Sequence, residues 1–153
     1  MLQMIILLRI RLSYAIVINE NSFMESQEKT VLIIEDEEDA AELFAEMMRV
    51  SGFRVVKTSS SAPAIAMMTA QKPDIVLLDI MMPEISGLDV LRQMRRDPAL
   101  VNIPVVVVSA QSLPTDIRHG MEAGASTYLT KPVGFFDLKE AVERALGSQS
   151  TAA

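Results

Sequence analysis

The sequence of 153 residues contains no cysteine and a single histidine, His119. Without cysteine the chain can form neither disulfides nor thiolate metal sites, which fits a reducing compartment. One histidine cannot build a metal site made of several imidazoles. Basic residues are also scarce, since 14 lysines and arginines stand against 20 acids and give a net charge of −6. This balance argues against a large electrostatic footprint for nucleic acid, so no nucleic-acid partner is expected.

A long uninterrupted apolar run is missing as well. Met1 to Ile18 is strongly apolar, but Arg9 and Arg11 interrupt it, whereas a membrane span needs roughly 20 mainly apolar residues. A signal peptide would carry its positive charge before the apolar region and would end in small residues, and this segment does neither. We therefore expect a cytoplasmic protein without a membrane partner.

Residues 1–23 are predicted to lie outside the fold as an N-terminal extension, and residues 24–153 to form a single domain. Met24 begins an ordinary soluble N-terminal sequence, so a start codon assigned too early would explain the extension. An extra strand or a peripheral anchor is the alternative. Half of the residues are hydrophobic, and a chain of this length can bury a substantial core.

From Thr30 onward, short apolar runs alternate with segments that show helical spacing. Strict alternation of strand and helix predicts an α/β fold, with parallel strands joined by right-handed crossovers and helices on both faces. Ligands of such sheets bind beyond the carboxyl ends of the strands, so a functional site is expected there. The predicted strands are 31–34, 53–56, 75–78, 104–108 and 126–130, and a helix is predicted after each of them.

The apolar run 75–78 lies between Pro73 and Pro83 and places Asp79 at its carboxyl end. A continuous aliphatic run of this kind is typical of a strand buried on both faces. An acid that only caps the strand or starts a turn is the structural alternative. Other predicted strands also end in polar groups, and this agreement favours a shared site. These groups are Glu35 and Asp36 after the first strand, Ser109 after the fourth and Lys131 after the fifth.

Three carboxylates gathered at one edge of a sheet would repel one another. Two unit charges ~4 Å apart cost about 4 kcal/mol at an effective dielectric constant of about 20. Either the pKa values of the acids rise or a hard divalent cation binds between them. Mg²⁺ suits the second option because it takes carboxylate, water and phosphate oxygens. The sequence therefore indicates Glu35, Asp36 and Asp79 as candidate metal ligands.

The same groups are suited to phosphoryl chemistry. A carboxylate oxygen of Asp79 can attack phosphorus and form an aspartyl phosphate. Mg²⁺ and the Lys131 ammonium would neutralise the phosphoryl oxygens, because positioning and electrostatics supply most of the catalysis in phosphoryl transfer. Ser109 would offer its hydroxyl to one of these oxygens. Each residue also has an ordinary structural interpretation: Lys131 as a surface lysine, Ser109 as a loop hydroxyl, and Glu35 and Asp36 as helix caps.

With these motifs the chain resembles the receiver domains of bacterial two-component response regulators, in particular the stand-alone receivers of the chemotaxis type. The resemblance extends from residue 29 to residue 147, and the joint spacing of its motifs is highly specific. It implies a flavodoxin-like, doubly wound sheet of five parallel strands in the order 2-1-3-4-5, with five helices. The matching motifs are Glu35-Asp36, Asp79-x-x-x-Pro83 with Gly87, Ser109-Ala110 after four valines, and Tyr128-Leu129-Thr130-Lys131-Pro132.

The resemblance implies a role for each of these residues. Asp79 would be the phosphoacceptor, with a sensor histidine kinase or a histidine phosphotransfer protein as the donor. Mg²⁺ would be held by Asp36, Asp79 and the backbone carbonyl of Met81. Glu35, where aspartate is commoner in the family, would act mainly through water. Lys131 would pair with the phosphoryl group, and the protein would catalyse only its own phosphorylation and dephosphorylation, without being an enzyme for other substrates.

The family pattern also implies a switch. Ser109 and Tyr128 would form it, the hydroxyl moving toward the phosphoryl group while the ring turns inward, and the bond between Lys131 and Pro132 would be cis. The shift would reshape the surface made by the fourth helix, the fifth strand and the last helix. Because the last predicted helix ends near Gly147, we expect a receiver without an output domain, whose signal leaves by protein contact or onward phosphoryl relay.

Three other functions fit parts of the sequence. A metal-dependent phosphatase with the same aspartyl chemistry would need an acid two residues after its nucleophile, where Met81 stands, and methionine cannot act as a general acid. A flavin carrier of the same architecture would have its phosphate repelled by the acids at the strand ends. A receiver that regulates by binding without phosphorylation is the third alternative, although the intact acids, Ser109 and Lys131 argue against it.

Overall fold

The structure is a computed structural model that describes residues 27–149. Within this range five strands alternate with five helices and form one parallel sheet in the order 2-1-3-4-5, so the predicted fold class and strand order are confirmed. The predicted N-terminal extension, residues 1–23, lies outside the described residues. The strands are β1 (Thr30–Ile34), β2 (Arg54–Thr58), β3 (Ile75–Leu78), β4 (Val105–Ser109) and β5 (Thr127–Thr130). The helices are α1 (Glu38–Val50), α2 (Ala64–Gln71), α3 (Gly87–Arg96), α4 (Pro114–Glu122) and α5 (Phe135–Gly147).

The central strands β1, β3 and β4 are buried on both faces of the sheet. Their aliphatic and largely β-branched side chains suit strands that are covered on both sides. Along β1, Val31 and Ile33 face one core while Leu32 and Ile34 face the other, because side chains alternate along a strand. The sheet separates two apolar cores, and full burial of one large aliphatic side chain in either core contributes roughly 1.5–3 kcal/mol.

Four of the helices close these two cores. α1 and α5 cover one face of the sheet, with Phe44 and Leu138 among the buried contacts. α2 and α3 cover the other face, with Met68 and Leu91 buried against the strands. α4 is packed more weakly, because Gly120 is the one buried residue among its nine. No helix within residues 27–149 has the length and apolar character that a membrane span requires.

The ends of several elements follow local signals in the sequence. The hydroxyl of Ser86 caps α3 by accepting a hydrogen bond from the N–H of Leu88 at 3.2 Å. Gly52 follows α1 with φ +89°, a left-handed conformation that favours glycine at the end of a helix. β2 ends at Thr58 and not at residue 56, because its polar last residues still pair with β1.

Candidate functional site

The carboxyl ends of the strands carry the predicted site residues, and backbone hydrogen bonds fix these residues to the sheet. Beyond β1, the N–H of Glu35 donates to the last carbonyl of β2 at 3.1 Å. Beyond β3, the N–H of Asp79 donates to the last carbonyl of β1 at 3.0 Å. The N–H of Lys131 donates to the carbonyl of Ser109 at 2.8 Å. Parallel pairing thus continues past the strands and holds these residues at one edge.

Lys131 reaches across this edge and joins two buried acids. Its Nζ lies 2.7 Å from Oε2 of Glu35 and 3.1 Å from Oδ2 of Asp79. The side chains of Glu35 and Asp79 are 3% and 6% exposed, whereas that of Lys131 is 20% exposed. The ring of Phe44 flanks the ammonium, and the peptide bond between Lys131 and Pro132 is cis. Two buried carboxylates share one cation, so the loss of Lys131 would leave both of them unpaired.

The second oxygen of each acid is bound by the local backbone. Oε1 of Glu35 accepts a hydrogen bond from the N–H of Glu37 at 3.1 Å, directly before α1. Oδ1 of Asp79 accepts one from the N–H of Met81 at 2.9 Å. Glu35 therefore contacts the start of α1, as a helix-capping residue would, and also belongs to the cluster. The backbone of Met81 lies beside Asp79.

Burial and hydrogen bonding act in opposite directions at Glu35 and at Lys131. Burial raises the pKa of Glu35, the bonds from Lys131 and the backbone oppose this effect, and the charge of Asp79 adds to it. Burial alone would lower the pKa of Lys131, but the hydrogen bonds to Glu35 and Asp79 raise it above its ordinary value of 10.5. Lys131 is therefore a cation at neutral pH, and its charge can stabilise an added anionic group.

Asp36 completes an acidic cluster with Glu35 and Asp79. One carboxylate oxygen from each of the three residues lies within 4.8 Å of the other two. Asp36 is exposed, unlike its two neighbours, so this side of the cluster is open to water and to an approaching group. Carboxylate oxygens completed by water are the ligands that Mg²⁺ prefers, whereas softer metals select thiolate or imidazole. The donor set fits Mg²⁺.

The two predicted switch residues both contact the loop after β4. Ser109 is fully buried, and its Oγ accepts a hydrogen bond from the N–H of Gln111 at 3.2 Å. The hydroxyl of Tyr128 donates to the carbonyl of Gln111 at 2.8 Å. Burial raises the pKa of Tyr128 further above neutral, so its hydroxyl is protonated and can donate. A movement of either side chain would therefore break or shift a hydrogen bond to the backbone of Gln111.

Gly120 is a residue near this switch pair that the sequence pattern did not reveal. A methyl group on Gly120 would lie 2.6 Å from Cδ2 and 2.8 Å from Cε2 of the Tyr128 ring, so only glycine leaves room for the ring in its present position. Glycine inside a helix costs about 1 kcal/mol relative to alanine. An interior glycine in a helical pattern is therefore a signal of close packing, but the fold is needed to show that Tyr128 is its partner.

Replacement of Glu35 by glutamine should weaken the dependence of stability on pH. Because burial raises the pKa of Glu35 above 4.5, only the folded protein binds this proton between pH 4.5 and the raised value. The contribution of the protonated carboxyl is complete below pH 4.5 and is lost as the pH rises through the raised pKa. Urea unfolding in EDTA should show a steeper loss of stability with rising pH for the wild type than for Glu35→Gln. Parallel curves would contradict this assignment.

Comparisons with known proteins match the chain over most of the described range. The family profile of the response regulator receiver domain matches residues 31–143. The polar-differentiation response regulator DivK of Brucella ovis is 33% identical over 119 residues, which make up 78% of this chain and 97% of DivK. The phosphate regulon transcriptional regulatory protein PhoB of Pseudomonas aeruginosa is 34% identical over 116 residues, or 76% of this chain. That match covers 49% of PhoB, so the chain spans about half the length of this relative.

A solved receiver domain structure has a fold similar to that of this chain. The response regulator receiver domain protein of Clostridium thermocellum superposes on this chain with a TM-score of 0.75 at 26% sequence identity. The superposition covers 82% of this chain and 99% of that structure.

Proposed function

The chain belongs to the response regulator receiver family, and on that premise we propose that Asp79 accepts a phosphoryl group from a sensor histidine kinase or a histidine phosphotransfer protein. The receiver domains of this family are signalling proteins and not enzymes in the ordinary sense. The observation that supports the proposal best is the contact of Lys131 with both Glu35 and Asp79, beside the open carboxylate of Asp36. The proposed nucleophile Asp79, the proposed cation ligand Asp36 and the ammonium of Lys131 lie together there.

Asp79 carries the chemical step. One of its carboxylate oxygens attacks the phosphorus of a phosphohistidine, a new oxygen–phosphorus bond forms, and the phosphorus–nitrogen bond breaks. The electron pair of the broken bond stays on the donor imidazole, which leaves as a neutral ring because its other nitrogen carries a proton. Lys131, now 3.1 Å from Oδ2 of Asp79, would turn to a phosphoryl oxygen while it keeps its shorter bond to Glu35. The hydrogen bond from the N–H of Met81 holds the Asp79 carboxylate in position during the attack.

The acidic cluster would hold Mg²⁺ through the carboxylates of Asp36 and Asp79 and the backbone carbonyl of Met81. Glu35, which is already bound to Lys131 and to the backbone, would take part mainly through water. When bound, Mg²⁺ would neutralise charge on the phosphoryl oxygens without any proton transfer. Exposure of Asp36 would let both the metal and the phosphoryl donor enter from solvent.

Phosphorylation would be read through Ser109 and Tyr128. The Ser109 hydroxyl would exchange its contact with the N–H of Gln111 for a phosphoryl oxygen. Because the Tyr128 hydroxyl is hydrogen-bonded to the carbonyl of Gln111, a shift of Gln111 would move the Tyr128 ring. This movement would change the contact of the ring with Gly120 on the weakly packed α4. The surface of α4, β5 and α5 would change shape and present the signal to a protein target or to a further phosphoryl acceptor.

Incubation with acetyl phosphate tests the proposal without a cognate kinase. We expect the wild-type protein to gain the mass of one phosphoryl group when Mg²⁺ is present, because the cluster supplies the nucleophile and the cation ligands. EDTA should prevent the gain. Intact mass spectrometry gives the result directly. Absence of uptake with Mg²⁺ would contradict the proposal and favour a receiver that acts by binding alone.

Replacement of Lys131 by methionine should slow phosphoryl uptake by about 10²-fold, since removal of one electrostatic stabiliser of a transition state typically costs this much. Methionine keeps most of the length of the side chain but has no charge. The matched control is Lys139→Met on α5, which removes a lysine whose side chain is 40% exposed. Initial rates from mass spectrometry should fall for Lys131→Met only. Equal rates in both variants would exclude a role for the Lys131 ammonium.

A further inference from the structure

We propose that the groove between α3 and α4, which we call the arginine groove, binds an acidic segment of a partner protein. The arginine groove has a volume of about 370 Å³ and lies near the C-terminal turns of the two helices. None of the residues that line it belongs to the acidic cluster at the carboxyl edge. Its lining consists of Arg92, Arg95, Arg96, His119, Glu122 and Ala123.

The charge of the arginine groove is opposite to that of the protein as a whole. The chain has a net charge of −6, yet three arginines face a single glutamate in this lining and leave it with two positive charges, before His119 is counted. The glutamate, Glu122, also lies 3.8 Å from Arg118 on its own helix, and this neighbour offsets part of its negative charge. A local surplus of this kind attracts anionic groups to the groove.

Arg95, one of the lining residues, is held in place by hydrogen bonds to backbone carbonyls. Its guanidinium donates to the carbonyl of Gly124 at 2.8 and 3.0 Å, to that of Val101 at 3.0 Å and to that of Ile103 at 2.9 Å. These bonds tie α3 to the segments that lead into β4 and β5. Burial lowers the pKa of Arg95, and within residues 27–149 no carboxylate lies at ion-pair distance from it. Backbone carbonyls hold this charge in place without cancelling it.

Arg92 and Arg96 are the groups that remain available for a ligand. They are four residues apart on α3 and share one face, where like charges repel and destabilise a helix slightly. The negative end of the helix dipole offsets part of this repulsion. Arg92 has only an exposed pair with Asp89 at 3.0 Å, a type of contact that stabilises little. In the described part of the chain Arg96 has no acidic partner.

The chemistry of the arginine groove favours carboxylates of a protein over a nucleic acid. Guanidinium groups bind carboxylates through two parallel hydrogen bonds, and acids one helical turn apart on a partner would match the spacing of Arg92 and Arg96. Nucleic-acid binding grows with the number of phosphates that a protein contacts, and the two exposed arginines Arg92 and Arg96 on a protein of net charge −6 are a small footprint. This inference goes beyond the proposed function and does not require phosphorylation of Asp79.

Titration of the full chain with a hexaglutamate peptide tests the proposal. In ¹⁵N-resolved NMR spectra we expect the largest shifts at the amides of Arg92, Arg96 and His119. Arg96→Gln should weaken peptide binding about fivefold, the loss of one charge-assisted contact. The substitution should leave the fold intact, because among residues 27–149 the Arg96 guanidinium has no hydrogen-bond or ion-pair partner. The control Lys139→Gln removes one positive charge from α5 and should change binding by less than about twofold.

Four results would overturn the proposal. One is a pattern of shifts spread evenly over the surface, and another is equal weakening by Arg96→Gln and Lys139→Gln. The third is stronger binding of a short DNA oligonucleotide, and the fourth is displacement of the peptide by equimolar inorganic phosphate. The titration contains no phosphoryl donor, so its failure and a failure of phosphoryl uptake at Asp79 are distinguishable.

Discussion

Asp79→Asn should abolish phosphoryl uptake from acetyl phosphate and leave the fold intact. The amide of asparagine is not a nucleophile toward phosphorus, but its oxygen can still accept the hydrogen bond that the N–H of Met81 now donates to Oδ1. Lys131 keeps its 2.7 Å bond to Glu35. Since the substitution also removes one of three clustered negative charges, we expect the free energy of unfolding to change by less than about 1 kcal/mol.

Intact mass spectrometry and urea unfolding measure the two parts of this prediction. The matched control is Asp137→Asn, which removes an exposed carboxylate from the first turn of α5. The control should take up one phosphoryl group as the wild type does, whereas Asp79→Asn should take up none. A phosphorylated Asp79→Asn protein would show that the nucleophile is another residue.

Gly87→Ala should destabilise the protein by about 1–3 kcal/mol or more, the cost of overpacking a site that cannot expand. A Cβ at Gly87 would lie 2.2 Å from the carbonyl oxygen of Asp79 and 2.6 Å from Cα of Ile80. Both atoms belong to the backbone, so no side chain can rotate away to relieve the overlap. The first turn of α3 would have to move from the segment that carries Asp79, and phosphoryl uptake should fall as well.

Gly147→Ala provides the control for Gly87→Ala. Gly147 ends α5, and apart from its chain neighbours and the adjoining backbone of α5 no atom of residues 27–149 lies within 4 Å of the place where its Cβ would be. Alanine there should be neutral or should stabilise the protein by up to about 1 kcal/mol, because it is the better helix former. Urea unfolding of both variants makes the comparison. A Gly87→Ala protein as stable as Gly147→Ala would mean that α3 and the segment after β3 are not held rigidly together.

The meeting of Glu35, Asp79 and Lys131 was predictable because it depends on local signals and one topological rule. Each residue directly follows an apolar or strand-like segment, and the carboxyl ends of parallel strands share an edge. Glu35 and Lys131 are 96 residues apart in the chain and still form a hydrogen bond. Which acid Lys131 approaches more closely was not predictable, since the difference between 2.7 and 3.1 Å depends on packing in three dimensions.

Contacts between helices and loops were harder to predict than the strand ends. Arg95 suits the C-terminal end of α3 in any helical pattern, but its bonds to the carbonyl of Gly124, 29 residues away, appear only in the fold. The same holds for Gly120 and Tyr128, where the glycine is visible in the sequence and its partner is not. Helical spacing indicates which side of a helix is exposed, but not which segment lies opposite.

A crystal structure with Mg²⁺ and beryllium fluoride, an analogue of the phosphoryl group, tests the central claim most directly. We expect the fluoride adduct on a carboxylate oxygen of Asp79, the cation between Asp36 and Asp79, and Nζ of Lys131 within hydrogen-bond distance of a fluorine. An adduct on another residue, or a Lys131 side chain directed away from the adduct, would contradict a single site built by the ends of these strands.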